Sequence, residues 1–512
     1  MERPECHRSS AADRRLVGTR LYEYQYTRAI RPSGESWPVC TDHGKPEPTA
    51  AQQRALQNVR QLLERNRSQS SVSGYAGETG TIASVGIVGA GLMGVSIAAA
   101  HLRHGLPVVV FDHDPAAMAS APRRVAEQLS AYDPRQSPAP ENRQPPLTIA
   151  DSLQAVAACD LVVESIIESF SAKSALLEQI EPVLSEDAIL VSNTSTIPIG
   201  RLGAVLRRPE RFCGFHFCHP VPQRSLVELV RGPKTSDHTV ARLFAHAKRI
   251  GRTAIVVRDG PGFVVNRLLF PLVTEALELL LEGVSIQSIE EATAEFGWSK
   301  GPLRLLDEIG LDIALQGGMV LSESFPERIA ASPLMVAMVK QGLLGRKSGA
   351  GFFLYGGPQQ TAADDALRQP NPAAQAIIDR VASQWGRAAE KHTAQTILMR
   401  LLLPMVLEAS RIIAENKVQD PRDIDLAAIF GLGFPEVRGG LLWWADTYGP
   451  TRLLNMLRGL ERLGARAQPT PLLREMARRD IRFYQLASGA PLVSGQQDSR
   501  RPESSSGCSP SL

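Results

Sequence analysis

The stretch that decides the fold is Ser84-Val85-Gly86-Ile87-Val88-Gly89-Ala90-Gly91-Leu92-Met93-Gly94. It is completed, 23 residues after Gly89, by the acidic end of Val108-Val109-Val110-Phe111-Asp112. Short β-branched runs before and after a glycine turn and an apolar helix pattern predict strand, turn, helix, strand. In such a turn Gly89 permits the tight bend, and Gly91 lets the backbone approach a pyrophosphate. Gly94 brings helix and strand close, and Leu92 and Met93 complete the helix N-terminus on which the anion rests. A carboxylate at Asp112 accepts hydrogen bonds from both ribose hydroxyls and repels a 2′-phosphate, which favours NAD over NADP. A bare G-x-G-x-x-G is a weak signal, and a glycine-rich turn with a surface aspartate is the plain alternative. Placement between strand and helix, with Asp112 at this distance, carries the nucleotide reading.

Downstream, Leu161-Val162-Val163 and Ile189-Leu190-Val191 read as further buried strands separated by a helix over residues 171–184. Strands alternating with helices predict a parallel, doubly wound α/β Rossmann-type domain, assigned to 81–258. Residues 133–146 are rich in Pro and Gln and are expected to form a loop. Residues 1–80 read as an extension, partly disordered, with one helix over 49–65. After Gly262 the pattern becomes long amphipathic helices, giving a first helical domain at 259–360 and a second at 380–487, before a disordered tail at 488–512. The two helical domains read as a duplication. Arg267-Leu268-Leu269-Phe270-Pro271 with Glu275-Ala276 returns as Arg400-Leu401-Leu402-Leu403-Pro404 with Glu408-Ala409, and Asp307-Glu308-Ile309-Gly310 returns as Asp446-Thr447-Tyr448-Gly449. The second copy has Met399 where the first has Asn266, so only the first offers an amide there. It is expected to pack on the first copy or on a twin subunit, burying Leu401, Leu402, Val406, Trp443 and Trp444.

A net charge of +3 over 512 residues offers no argument for nucleic acid or for a membrane surface. Nor does any apolar run approach the roughly 20 residues that a bilayer span needs. Six cysteines without a paired framework suit a reducing compartment. The expected location is cytoplasmic, or an organelle matrix if the Arg- and Ser-rich residues 1–30 act as a transit peptide.

Cys213-Gly214-Phe215-His216-Phe217-Cys218-His219 contains the preferred zinc donors. All four donors lie within seven residues of a strand pattern, where side chains alternate between faces, so no metal is assigned. His216 is then either a core histidine or a functional base. Leu226-Val227-Glu228-Leu229-Val230 places one carboxylate in an apolar run, which is costly unless paired. Glu228 is either an edge charge facing water or the partner of His216. A paired imidazole and carboxylate is what alcohol oxidation requires, the ring taking the hydroxyl proton while the carboxylate orients it.

Together these motifs resemble the 3-hydroxyacyl-CoA dehydrogenase family, from about residue 82 to 355. The resemblance is carried by the glycine turn, Val162-Val163-Glu164-Ser165-Ile166-Ile167-Glu168, Ser192-Asn193-Thr194-Ser195, and His216 followed by Pro220-Val221-Pro222. Leu226-Val227-Glu228, Pro261 to Arg267 and Gly345-Arg346-Lys347-Ser348-Gly349 complete it. The second helical copy, with Gly431-Leu432-Gly433-Phe434-Pro435, is similar to the C-terminal end of bacterial multifunctional fatty-acid-oxidation enzymes. The resemblance implies NAD-dependent oxidation of an L-3-hydroxyacyl-CoA in β-oxidation or a related pathway, by a homodimer associated with other β-oxidation enzymes. It implies His216 as general base, Glu228 as its partner, Ser195 beside the substrate hydroxyl and Asn266 positioning the reacting end. Glu168, Lys173, Ser195, His219 and Lys347 match positions around the nucleotide, although Lys173 could equally be a solvated helix charge and Lys347 a loop charge. Three positions depart from the family pattern: His219 replaces the usual Asn, Phe430 a frequent Tyr, and the hairpin after the second strand is short. The alternatives are a dehydrogenase of a free, small 3-hydroxy acid and a non-catalytic nucleotide-binding scaffold.

Overall fold

The computed structural model describes residues 48–69, 77, 79–132, 146–356, 369–386 and 390–487. The transit-peptide reading, most of the predicted 133–146 loop and the tail lie outside the described residues. Eight strands form one sheet in the order β3-β2-β1-β4-β5-β6-β7-β8. They are β1 (Val85–Val88), β2 (Val108–Phe111), β3 (Leu147–Ile149), β4 (Leu161–Glu164), β5 (Ile189–Ser192), β6 (Phe212–Phe217), β7 (Leu226–Arg231) and β8 (Thr253–Arg258). β1 to β6 are parallel, as the alternation of strands and helices requires.

The strands that the sequence reads as parallel, β1, β2, β4 and β5, are parallel, and the sheet continues past β6 into two strands that are not. β7 is antiparallel to β6, and β8 is parallel to β7, so the last two strands run against the rest. The physical reason is the connection: residues 218–225 are too few for a parallel crossover, which takes a dozen or more, whereas the Asp237–Arg249 helix returns the chain from β7 to β8.

Alternate residues of the strands feed two apolar layers. Ile87, Val110, Val163 and Val191 pack with the Leu92–Leu102 and Asp237–Arg249 helices. Val88, Val162, Leu190 and Leu226 join a second layer that continues without a break into the helical part.

In that part the Val265–Leu281 and Ala394–Ala414 helices pack against one another, each carrying its repeated proline, Pro271 or Pro404, inside the helix. Each copy then bends sharply at a glycine of positive φ, Gly310 (φ 97°) and Gly449 (φ 79°). This conformation, open to glycine at little cost, explains the repeated Asp-x-x-Gly. The second copy packs on the first within the same chain, burying Leu401, Leu402, Val406 and Trp444, while Trp443 is only partly covered. The helix expected at 49–65 is Ala50–Ser68, opened by a Thr49–Gln52 capping box. It is tied down at both ends of the molecule, by Asn66 Nδ2 donating to Ala254 O in β8 and Asn58 Nδ2 to Gly439 O in the second copy.

Candidate active site

The crevice opens where the sheet order reverses, between β1 and β4, the usual ligand position of a doubly wound sheet. Gly89 has φ 111°, and a Cβ there would stand 2.4 Å from Ser165 O. A Cβ on Gly94 would stand 1.8 Å from Gly89 O, and one on Gly91 would meet nothing within 4 Å. Gly89 therefore closes the turn against Ser165, just past β4, Gly94 packs under the turn itself, and Gly91 leaves an open floor. Gly91 also caps the Leu92–Leu102 helix without a side-chain hydrogen bond, so the helix amides face that floor. Asp112 stands at the rim, Oδ2 accepting from Ala90 N at 2.7 Å and Oδ1 from Asp114 N at 2.9 Å. An open cradle, free helix amides and a carboxylate at the ribose distance fit a dinucleotide.

A cavity of about 950 Å³ runs from this turn into the helical domains. Past Asp112 it takes in Glu168 and Lys173, then Ser195, His216 and Asn266, with His219 nearby. His216 and Glu228 face one another directly across the β6–β7 ladder. His216 Nδ1 lies 2.7 Å from Glu228 Oε2, and the other carboxylate oxygen accepts from Val264 N (2.9 Å) and Val265 N (3.0 Å) at the start of the Val265–Leu281 helix. Glu228 is fully buried, so the reading of it as an edge charge facing water is overturned. With Nδ1–H donated to the carboxylate, Nε2 is left as a proton acceptor.

Asn266 Nδ2 donates to Ser195 O at 2.9 Å, joining the helical part to the loop after β5. That loop is gathered on one oxygen: Glu168 Oε1 accepts from Thr194 Oγ1 (2.7 Å), Ser195 N (3.0 Å) and Thr196 N (3.1 Å). Burial pushes the Glu168 carboxyl up, but the Lys173 charge and these donors outweigh it and hold it below the usual carboxylate range. Lys173 is not the solvated helix charge it could have been. It is buried, with Nζ 2.6 Å from Glu164 Oε1, while Ser192 Oγ donates to Glu164 Oε2 at 2.5 Å. The sequence names Glu164 and Ser192 only within the motifs that carry the resemblance and gives them no role, so their grouping with Lys173 is not foreseen there.

Three of the expected site residues fall outside the lining, Glu228 because it stands behind His216. Gly94 sits behind the turn, and Lys347 Nζ pairs with Asp312 Oδ2 at 2.6 Å. Beside Phe430, Gly431 and Leu432 of the second copy form part of the cavity wall. The donors of the 213–219 stretch do not converge: Cys213 packs in one apolar layer with Sγ on Val230 O, and Cys218 in the other.

Comparison with known proteins gives two matching family models. The 3-hydroxyacyl-CoA dehydrogenase NAD binding domain covers residues 84–260, and the C-terminal domain of the same family covers 262–355 and again 397–482. Among solved structures, M. tuberculosis FadB2 is 34% identical, over 54% of this chain and 100% of that one, with a TM-score of 0.51. The dehydrogenase part of multifunctional enzyme 1 from C. elegans is 25% identical over 83% of this chain and 99% of its own, at 0.59. The 3-hydroxybutyryl-CoA dehydrogenase of Escherichia coli shares the fold at 24% identity, over 80% of this chain and 99% of its own, with a TM-score of 0.64.

Proposed function

The chain belongs to the 3-hydroxyacyl-CoA dehydrogenase family and is an NAD-dependent dehydrogenase, and we propose that it oxidises an L-3-hydroxyacyl-CoA to the 3-ketoacyl-CoA. The observation that carries the proposal is the buried His216–Glu228 pair, with Ser195 and Asn266, in a cavity continuous with the glycine turn. The substrate hydroxyl sits between His216 Nε2 and Ser195 Oγ. His216 Nε2 takes the hydroxyl proton. Glu228 Oε2 holds Nδ1–H and compensates the charge that the ring acquires. Asn266 fixes the Ser195 loop and orients the reacting end, as proximity catalysis requires. Bound NAD supplies the hydride acceptor. In this reading the turn residues Gly89 to Gly94 carry the pyrophosphate, Asp112 the ribose, and Glu168 and Lys173 the inner face of the crevice. Lys347 joins them only by leaving Asp312.

A free, small 3-hydroxy acid is the weaker substrate reading, because the cavity continues past His216 along Leu305, Ile309 and Leu432, where such an acid places nothing. An acyl chain or pantetheine arm fills that space. β-Oxidation or a related acyl-CoA pathway is the setting that this substrate implies. Among the described residues no helix is long and apolar enough to cross a membrane.

The test is NADH formation from 3-hydroxyacyl-CoAs of several chain lengths beside the free 3-hydroxy acids. Higher kcat/KM for the thioesters is expected, and equal or better turnover of the free acids overturns the acyl-CoA reading.

A further inference from the structure

Beyond the reacting end, the cavity wall is completed by Gly431 and Leu432 of the second copy and by Leu305, Leu306 and Ile309 of the Pro302–Ile309 helix. His219, on the connection between β6 and β7, lines the same cavity and feels the charges of Glu308, Lys300 and Arg224. Three buried polar atoms of this group, His219 Nδ1, Arg224 Nε and Glu308 Oε2, have no hydrogen-bond partner. Buried polar groups are almost always satisfied, so these three orphans need an explanation.

The charges do not balance either. Lys300 Nζ and Glu308 Oε1 pair at 2.5 Å. Burial lowers the His219 pKa, which keeps the ring neutral near neutral pH. Arg224 forms no hydrogen bond or ion pair with its side chain among the described residues, and burial lowers its pKa too. Its guanidinium also lies close to the second copy: a Cβ on Gly433 would stand 2.1 Å from Arg224 Nη1. Gly433 has φ 79°, which by itself favours glycine, so the contact places the guanidinium against the end of the second copy's wall segment. Arg224 is half-buried, with its Nε shielded from water, and a cation drawn even partly out of water without a partner is costly.

We propose that Arg224 and His219 form an anion-binding subsite that takes a carboxylate or phosphate group of the substrate, remote from the carbon being oxidised. This rests on the acyl-CoA reading above. A guanidinium presents a planar fork that binds either oxyanion through two parallel hydrogen bonds, and a neutral imidazole adds one donor. The anion has two sources. One is a carboxylate at the far end of a dicarboxylic acyl chain, and the other is a phosphate of the CoA moiety.

The experiment compares wild type with R224Q, R224K and H219Q on three thioester sets: 3-hydroxyacyl-CoAs, the same chains ending in a carboxylate, and the corresponding pantetheine thioesters. Circular dichroism and the thermal melting transition report that each variant is folded. If the anion is the chain's carboxylate, R224Q lowers kcat/KM for the carboxylate-ended chains relative to the plain ones by about ten- to a hundredfold, and R224K restores part of it. If it is a CoA phosphate, R224Q lowers kcat/KM by that factor for every CoA thioester relative to its pantetheine counterpart. Wild-type activity with no change in either ratio for R224Q and H219Q overturns the subsite and leaves the acyl-CoA reading standing. Absence of turnover with any thioester overturns the acyl-CoA reading itself. Thermal-shift titration with glutarate and with inorganic phosphate then decides the subsite: stabilisation of wild type but not of R224Q supports it, and equal response overturns it.

Discussion

Arg267 of the first helical copy donates Nε to Glu408 of the second at 2.7 Å, and the relation is returned, Arg400 of the second copy donating Nε to Glu275 of the first at 2.8 Å. The repeated Arg and Glu of one motif thus pair across the copies, not within them. Two long helices meet as a local two-fold pair, with both ion pairs buried between them.

This exchange predicts how the copies are held. Glu408 also receives Arg328 Nε (3.0 Å) and Arg411 Nη1 (3.1 Å), so E408Q leaves three guanidinium groups short of their shared carboxylate. Breaking a buried pair from one side costs about 3–5 kcal/mol, and the lower end is expected because Arg267 retains Glu415. The urea midpoint should fall accordingly at an unchanged slope. A shift equivalent to less than about 1 kcal/mol, the range of an exposed pair, would show that the pairs do not hold the copies together.

Glu282 gives a pH dependence. Burial pushes its carboxyl up, but hydrogen bonds from His392 and Arg400 and the charges of Arg400 and Arg462 outweigh burial and hold it at about 2, against an ordinary 4.5. A depressed folded value contributes stability that is present above pH 4.5 and lost as the pH falls toward about 2. The stability difference between wild type and E282Q should therefore be on the order of 3 kcal/mol at neutral pH and shrink steadily below pH 4.5. A difference that stays constant down to pH 3 or grows in acid contradicts this assignment.

Asp112 is expected to set the preference between coenzymes. D112S removes the ribose acceptor and the repulsion of a 2′-phosphate, so the ratio of kcat/KM for NAD over NADP should drop by at least about tenfold. Equal efficiency of the wild-type enzyme with both coenzymes would remove the basis for this role.

Much of this geometry is legible in the sequence, and particular residues show why the rest is not. The turn at Gly89 to Gly94 and Asp112 was readable because its constraints are local: positive φ, close packing and a strand end. His216 and Glu228 were readable as candidates because a lone carboxylate in an apolar strand demands a partner. That they face one another follows from the antiparallel β6–β7 pairing, which only the short 218–225 connection signals. The duplication was visible in Arg267 and Arg400, but a repeat does not state how its copies pack, so the exchanged pairs were hidden. Lys173 was ambiguous because its partners, Glu164 and Glu168, lie on neighbouring elements whose approach depends on the tertiary fold. Arg224 gave no signal, since a single arginine between Gln223 and Ser225 looks like any solvated loop charge.

The most direct test of the central claim is turnover by His216→Gln, measured as NADH formed per folded enzyme molecule with a 3-hydroxyacyl-CoA at saturation. A positioned general base contributes about a hundred- to ten-thousandfold, so kcat should fall at least a hundredfold while NAD binding is nearly unchanged. E228Q should also be impaired, and the double variant little worse than the poorer single one, because residues acting as a unit are not additive. If His216→Gln instead lowers thermal stability and leaves the rate per folded molecule intact, His216 is a core histidine, and the His216–Glu228 mechanism is contradicted.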